Sequence, residues 1–320
     1  SYTRWLSLPL ALLQSYGMIL LLNSQAQIPI INNINDPLVL LPIMLTVTTG
    51  TILLMWMGEI IAEKGIGNGI SLIIFAGIIS SVPTAVAQNL AIASKDSTQL
   101  IQVVSILLLT IALIVATVLI TEGYREIPIS YASRSSKGQM SKLPIKINQA
   151  GMIPIIFAVS IVSFPSLFAQ LVQQTPLVWL KTGADFVLKY FTVNSPIYII
   201  TMFLLIIGFT FFYVSITFKV DQVAENIQKR GGYIPGVRPG KETADYLAKI
   251  SNRLNLFGGI FIGLVAAMPM LLQIIFGGSG GNSLPLLISG SGILIIVGVI
   301  LDLIRQINSQ LVMHDYEKFY

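Results

Sequence analysis

Residues 254–301 read LNLFGGIFIGLVAAMPMLLQIIFGGSGGNSLPLLISGSGILIIVGVIL, 48 positions without one Asp, Glu, Lys or Arg. A helix that crosses the hydrocarbon core of a bilayer needs about 20 predominantly apolar residues. This stretch has room for two crossings, and Gly277-Gly278-Ser279-Gly280-Gly281-Asn282, with Pro285 just after, supplies a tight turn between them. Outward from it, the segments 5–35, 37–58, 65–94, 97–121, 147–180 and 190–218 are also free of charge, and each has room for one crossing. Spans are therefore expected near 5–22, 38–60, 71–90, 101–121, 151–173, 197–218, 254–276 and 286–305, eight in all. Barrel strands would alternate polar and apolar residues over about 10 positions. The apolar runs here are continuous, so the expected fold class is an all-α polytopic membrane protein.

Composition agrees. Of 320 residues 10% are charged and 54% hydrophobic, and the mean hydropathy is +0.80. Soluble domains carry about 25% charged residues. This chain has too few polar side chains to cover a soluble surface of its size, which excludes a soluble enzyme and equally a disordered chain. Cys is absent and His occurs once. That leaves no disulfide framework, no thiolate nucleophile and no Cys-ligated metal, and it nearly removes His-based catalysis.

Lys and Arg set the expected orientation. With eight spans both ends share a side, and that side collects 16 of the 19 cations. Only Lys95, Lys181 and Lys189 fall opposite. The termini and the two long loops, 122–150 and 219–253, are thus expected in the cytosol. The chain opens Ser1-Tyr2-Thr3-Arg4-Trp5, with no Met and no targeting stretch, and is expected to be a piece of a longer protein.

The chemical motifs are sparse. No GxxxxGK[ST] occurs, and Gly65-Ile66-Gly67-Asn68-Gly69 lacks the third glycine of a dinucleotide fingerprint and follows a membrane helix. Gly277 to Gly281 matches a nucleophile elbow on paper, but the single His314 lies in the tail across the membrane from it. A turn is the better account of the one and a solvated tail residue of the other. Span interiors hold no carboxylate pair, so a proton relay is not expected. Glu59, Glu122 and Asp302 sit at span ends, and Asp302 and Arg305 are spaced to pair on one helix face. Gly259 and Gly263 form a small-xxx-small pattern that would let another helix approach closely.

The basic loops are the unusual part. Loop 219–253 carries an amphipathic piece at 221–230 and a second at 242–253. Between them Gly231, Gly232, Pro235, Gly236, Pro239 and Gly240 make a rigid knuckle that presents Arg238. Loop 122–150 offers Tyr131, Arg134, Lys137, Lys142 and Lys146. Such projections suit RNA phosphate, an acidic protein surface or anionic lipid, while most of the lysines read as solvated anchors.

These residues carry a resemblance. Met55-Trp56-Met57-Gly58-Glu59 leads into Glu63-Lys64-Gly65-Ile66-Gly67-Asn68-Gly69-Ile70-Ser71, and Pro128-Ile129-Ser130-Tyr131-Ala132-Ser133-Arg134 follows. Then come Leu143-Pro144-Ile145-Lys146-Ile147-Asn148-Gln149-Ala150-Gly151-Met152-Ile153-Pro154-Ile155-Ile156-Phe157-Ala158, Phe211-Phe212-Tyr213, and the run from Ala224-Glu225-Asn226 to Gly240. In them the chain resembles the SecY family, the central subunit of the bacterial protein-conducting channel. The likeness runs from Tyr2 to about Glu317 and is weak only in 23–37, 91–100 and 174–196. It implies ten spans in two inverted halves, of which these eight resemble the third to the tenth. Residues 1–96 would then be the remainder of the first half, with three spans, and 97–320 the complete second half, with five. The first two spans and the plug between them would precede Ser1.

The resemblance also implies a function. Such a channel passes unfolded secretory polypeptides through a pore and releases hydrophobic segments sideways into lipid. The pore ring would consist of Ile74, Ile78, Ile156 and Ile295, and the sideways gate would include Ser160 and Phe164. Arg238, Arg134, Lys137 and Lys142 would dock a ribosome or the SecA ATPase. Implied partners are SecE and SecG subunits, those motors, precursors with signal sequences, and the lipid of a bacterial inner membrane. No cofactor, metal or catalytic residue is implied. The competing reading is an inverted-repeat transporter of a small solute, which needs polar groups at mid-membrane. Thr46, Thr48, Thr49, Thr51, Asn148 and Gln149 are the main candidates. A third reading, an intramembrane protease, lacks the residues.

Overall fold

The computed structural model describes residues 2–25, 31, 36–93, 97–131, 140–173, 178–191, 195–277 and 289–317. In chain order the elements are α1 (Tyr2–Gln25), α2 (Pro37–Lys64), α3 (Gly69–Ala93), α4 (Ser97–Glu122), β1 (Tyr124–Tyr131), β2 (Met140–Lys146), α5 (Ile153–Gln173), α6 (Val178–Tyr190), α7 (Pro196–Thr217), α8 (Val220–Lys229), β3 (Gly232–Tyr233), α9 (Lys241–Gly277) and α10 (Gly290–Glu317). A long helix occupies each of the eight predicted positions. Seven of them, α2, α3, α4, α5, α7, α9 and α10, are long and apolar enough to cross a membrane. The eighth, α1, has a shorter apolar run, Ser7–Leu20, among the described residues. The glycine-rich turn is expected from Gly277 to Asn282; Gly277 ends α9, and the rest of the turn, with Pro285, lies outside the described residues.

Local chemistry explains the helix ends. Asp36 caps α2 by accepting the Leu38 N–H at 3.0 Å, and Pro37 occupies the first helical position, where no N–H is needed. Gly65 ends α2, and Gly67 turns the chain at φ +94°, a conformation that side-chain-bearing residues rarely adopt. Asn68 then caps α3 by accepting the N–H groups of Ile70 and Ser71. Gly69 lies directly against the backbone of Gly58 on α2. The Gly-Ile-Gly-Asn-Gly segment is therefore a hairpin in which each polar or small residue has a geometric task.

The chain packs as two compact units. The first comprises Ser1–Ser81, Ser160–Ile199 and Val299–Tyr320. In it α1 packs on α2, Gly17 lies against Leu167 of α5, and Gly67 against Leu303 of α10. Asp302 accepts from Arg305 at 3.3 Å, as their spacing predicts. The second unit comprises Val82–Val159 and Ile200–Gly298. In it α9 lies antiparallel to α7: Gly259 faces Ile207 and Thr210, and Gly263 faces Phe203 one turn further back. The small-xxx-small pattern thus does what its spacing predicts.

Three elements depart from the sequence reading. Loop 122–150 contains two strands, which with β3 make a sheet of order β2-β1-β3. The prolines within those strands obscure them, since proline donates nothing to a ladder. They are tolerated because β2, with Pro144, is an edge strand, and because among the described residues β3 pairs with Ser130 and Tyr131 alone, leaving β1 without a neighbour on that side at Pro128. The amphipathic piece at 242–253 is continuous with the following span as one helix, α9. Helix α6 lies between α5 and α7, where the sequence offered no signal for a span.

Candidate functional site

The two basic loops are not separate projections. Sheet residues Ile127, Ile129 and Ile145 share one buried cluster with Ile227 of α8, Ile234, and Leu247 and Ile250 of α9. In β1 the buried Ile127 and Ile129 alternate with exposed Glu126 and Pro128, the period of a one-faced strand. In α8, Ala224 and Ile227 turn inward while Glu225 and Lys229 pair on the outer face at 2.7 Å. Fully burying one such aliphatic side chain contributes about 1.5–3 kcal/mol. Seven of them make a small folded module at the base of α9, outside the charge-free stretches 190–218 and 254–301.

The knuckle rides on that module. Gly231, Gly236 and Gly240 all have positive φ, at 68°, 84° and 99°. Gly232 pairs with Tyr131 in the sheet, and a Cβ there would meet the Tyr131 ring at 2.8 Å. Val237 N–H donates to Ile234 at 3.0 Å, and the Thr243 hydroxyl donates to the Arg238 carbonyl at 2.8 Å. The Arg238 backbone is therefore pinned while its side chain is 87% exposed, with a long 4.0 Å approach to Glu242 its one ion pair among the described residues. Lys142 stands on β2, bonded to Glu126 at 2.5 Å. The hydrogen bond and charge of that carboxylate hold the Lys142 ammonium above its ordinary pKa. Lys142 thus stays charged but already faces Glu126 across the strand pair. Arg134 and Lys137 lie outside the described residues.

The four isoleucines fall in two places. Ile74 and Ile78 are one turn apart on α3, in the first unit. Ile156 on α5 and Ile295 on α10 belong to the second. Ile295 is buried, at 8% exposure, and the other three are half-buried. Their neighbours Ile79 and Phe157 are exposed, at 41% and 52%. In the second unit Gly258 lies against the Ile147 carbonyl, Met152 against Gly298, and Gly290 against Val265 and Ala266. So α10 runs back toward the base of α9 as α5 runs away from it. At about 1.5 Å per residue, Ile156 and Ile295 each stand roughly one turn from the Met152–Gly298 contact, at a similar level.

Ser160 and Phe164 share one face of α5; Ser160 is exposed and Phe164 half-buried, its ring 6.2 Å from Phe168. The polar residues of the transporter reading are used inside the fold. Thr46, Thr48, Thr49 and Thr51 each donate to the carbonyl four residues earlier, at 2.7–3.1 Å. Asn148 accepts the Gly151 N–H and so fixes the left-handed turn that starts α5. Gln149 accepts the Ser251 hydroxyl at 3.1 Å, and Asn255 donates to Ser251 at 3.4 Å. This buried network joins the start of α5 to α9. The one-turn spacing of Ser251 and Asn255 was its only sequence trace. The Glu126 partner of Lys142 was likewise invisible before the strand register was known.

No group of three or more His, Cys, Asp or Glu among the described residues could hold a metal ion.

The chain is similar to known proteins along almost its whole length. The family model described as SecY matches residues 1–304. A protein translocase subunit SecY from Mycobacterium leprae is 42% identical over 331 residues, covering 99% of this chain and 74% of its own. Its counterpart from Corynebacterium glutamicum is 38% identical, with 99% and 73% covered. The one from Bacillus licheniformis is 37% identical, with 99% and 74% covered. A solved structure described as "The structure of a protein conducting channel" superposes with a TM-score of 0.65 at 20% identity, over 95% of this chain and 71% of that one. A second, a study of the plug domain of the SecY protein, gives 0.64 at 21% identity, over 96% and 71%.

Proposed function

The chain belongs to the SecY family, and we propose that it is the pore-forming subunit of a translocon that passes unfolded polypeptides across a membrane and releases apolar segments sideways into lipid. The observation that carries this reading is the extent of the family match, which takes in the spans and the module alike. Residues 1–96 act as the remainder of one half and 97–320 as the other.

Each part has a physical task. Ile74, Ile78, Ile156 and Ile295 form an apolar collar. An apolar constriction dewets and so excludes ions. Its branched side chains yield around a passing chain without bonding to it, which suits substrates of mixed sequence. The absence of all four from the strongly exposed apolar residues supports an inward role. Ser160 and Phe164 line the sideways gate. A segment leaving through it gains about 0.8 kcal/mol for each CH₂ transferred from water, so partitioning alone drives release. Forward motion comes from outside: a ribosome or the SecA ATPase docks on the cytosolic module at Arg238, with Lys142, Arg134 and Lys137 around it. SecE and SecG complete the channel in a bacterial inner membrane, with the ends of this chain cytosolic.

The rival transporter reading needs polar groups open to a solute. The threonine hydroxyls of α2 already donate within their own helix, which disfavours it. Sealed vesicles carrying the protein with its partner subunits separate the two. Uptake of a secretory precursor into a protease-protected form, with no accumulation of small solutes, supports the channel. Solute accumulation without precursor uptake would overturn it.

A further inference from the structure

Where α7 gives way to α8, a cavity of about 790 Å³ opens beside the first turns of α9. That volume lies within the roughly 300–1,000 Å³ of small-ligand sites. Its walls have three characters. Phe211, Phe212 and Phe218, at the end of the α7 span, make one side aromatic. The floor is the buried pair Ser251 and Asn255, at 3% and 2% exposure, fixed by their bonds to each other and to Gln149. The Asn255 Oδ1 is buried there with no hydrogen-bond partner among the described residues. At the rim stand Lys219, Asp221 and Asp245, all exposed, none of them in an ion pair among the described residues.

The position decides the kind of occupant. The α7 span is apolar up to Phe218, and Phe212 and Ile216 are strongly exposed on its surface, as lipid-facing residues are. Lys219 is the first charge after it. The cavity therefore lies at the boundary between hydrocarbon and headgroups, open on its apolar side to acyl chains. One cation and two carboxylates at its rim favour a ligand that carries both an anion and a hydrogen-bonding cation. They disfavour one that is only anionic, because two like-charged carboxylates would face it. We propose that this cavity binds a zwitterionic aminophospholipid of the phosphatidylethanolamine type. Its phosphate pairs with Lys219, its primary ammonium donates to Asp221 and Asp245, and its glycerol and upper acyl chain lie against the phenylalanines. This assignment rests on the membrane-spanning fold and stands apart from the pore reading.

The test uses the whole protein in nanodiscs of equal parts phosphatidylethanolamine, phosphatidylcholine and phosphatidylglycerol. Native mass spectrometry then identifies the lipids retained after mild delipidation. Phosphatidylcholine keeps the phosphate and the positive charge but has no N–H to donate. The expected result is selective retention of phosphatidylethanolamine. In the double variant Asp221→Asn, Asp245→Asn, which removes the charge from both acceptors, that preference falls about ten-fold or more. Lys219→Gln weakens retention further, and Lys249→Gln, whose residue does not line the cavity, leaves it unchanged. All these positions are exposed, so the variants fold, and an unchanged elution profile checks this. Retention in the supplied ratio, enrichment of phosphatidylglycerol instead, or full preference in the double variant would each overturn the proposal. So would protection of Phe218 from hydroxyl-radical labelling only when a partner protein is present, which would assign the cavity to a protein segment.

Discussion

Replacing Gly69 by Ala tests the α2–α3 hairpin at its tightest point. A Cβ at position 69 would lie 2.7 Å from the Gly58 carbonyl carbon and 3.0 Å from the Ala62 nitrogen, with the Gly58 oxygen nearer still. All three are backbone atoms of α2, so no side-chain rotation relieves the overlap. Restoring ordinary contact requires the two helices to part by roughly an ångström, and overpacking of this kind costs about 1–3 kcal/mol. Residue 69 is the first of α3, so the alanine recovers little of the helix propensity that an interior Gly-to-Ala change would return, about 1 kcal/mol. The matched control is Gly50→Ala on the same α2, where a Cβ meets nothing within 4 Å. The assay is thermal unfolding of the purified protein, followed by the loss of its monodisperse elution peak. At about 2–4 °C per kcal/mol, Gly69→Ala unfolds several degrees below wild type. Gly50→Ala unfolds at or above it. Equal midpoints for the two variants would refute the close-contact account of this motif.

Three further outcomes follow from the module outside the spans. Arg238→Glu reverses the exposed charge on the pinned knuckle; motor-driven export of a precursor drops about ten-fold or more while the protein still accumulates in the membrane, as expected of an interface hot spot. Unchanged export would make Arg238 a solvated anchor. Leu247→Ala empties the centre of the isoleucine cluster, where Leu247 is fully buried, at a cost of about 2–5 kcal/mol; limited proteolysis in native membranes then cuts within 220–250 before it cuts elsewhere, and a wild-type digestion pattern would contradict this. The Glu225 carboxyl is held below its ordinary range by the hydrogen bond and charge of Lys229. Because the folded value is the lowered one, the pair supports α8 above the usual glutamate range and ceases to do so as pH falls through that lowered value. Lys229→Gln returns the Glu225 midpoint upward, read from its carboxyl carbon-13 shift, and an unmoved midpoint would count against the pair.

The spans were legible because length and lack of charge nearly suffice to define a helix in lipid. That Gly259 and Gly263 admit another helix closely followed from spacing alone, and so did the Asp302–Arg305 pair; that the partners are Phe203, Ile207 and Thr210 of α7 did not. The module was not legible. Ile127 and Ile129 alternate as strand residues do, but Pro128 sits between them and Pro144 in the facing strand. Their burial also depends on Ile227 and Leu247, about a hundred positions further along the chain. No local pattern announces a cluster shared across that separation. The same holds for Lys142, whose charge read as available until the register set it against Glu126. For the collar, periodicity could not single out four isoleucines among so many; the family resemblance named them, and the structure adds that none of the four is strongly exposed, whereas Ile79 beside Ile78 and Phe157 beside Ile156 are.

The collar is the claim on which the functional account turns, and site-specific cross-linking reaches it most directly. A photoreactive residue is placed singly at Ile74, Ile78, Ile156 or Ile295, and for comparison at Leu119 of α4, which is 68% exposed. A precursor stalled midway by a folded tail is then irradiated in membranes. The account predicts capture of the precursor from all four collar positions and lipid adducts alone from Leu119. Capture that is absent at the four, or no stronger there than at Leu119, would contradict it.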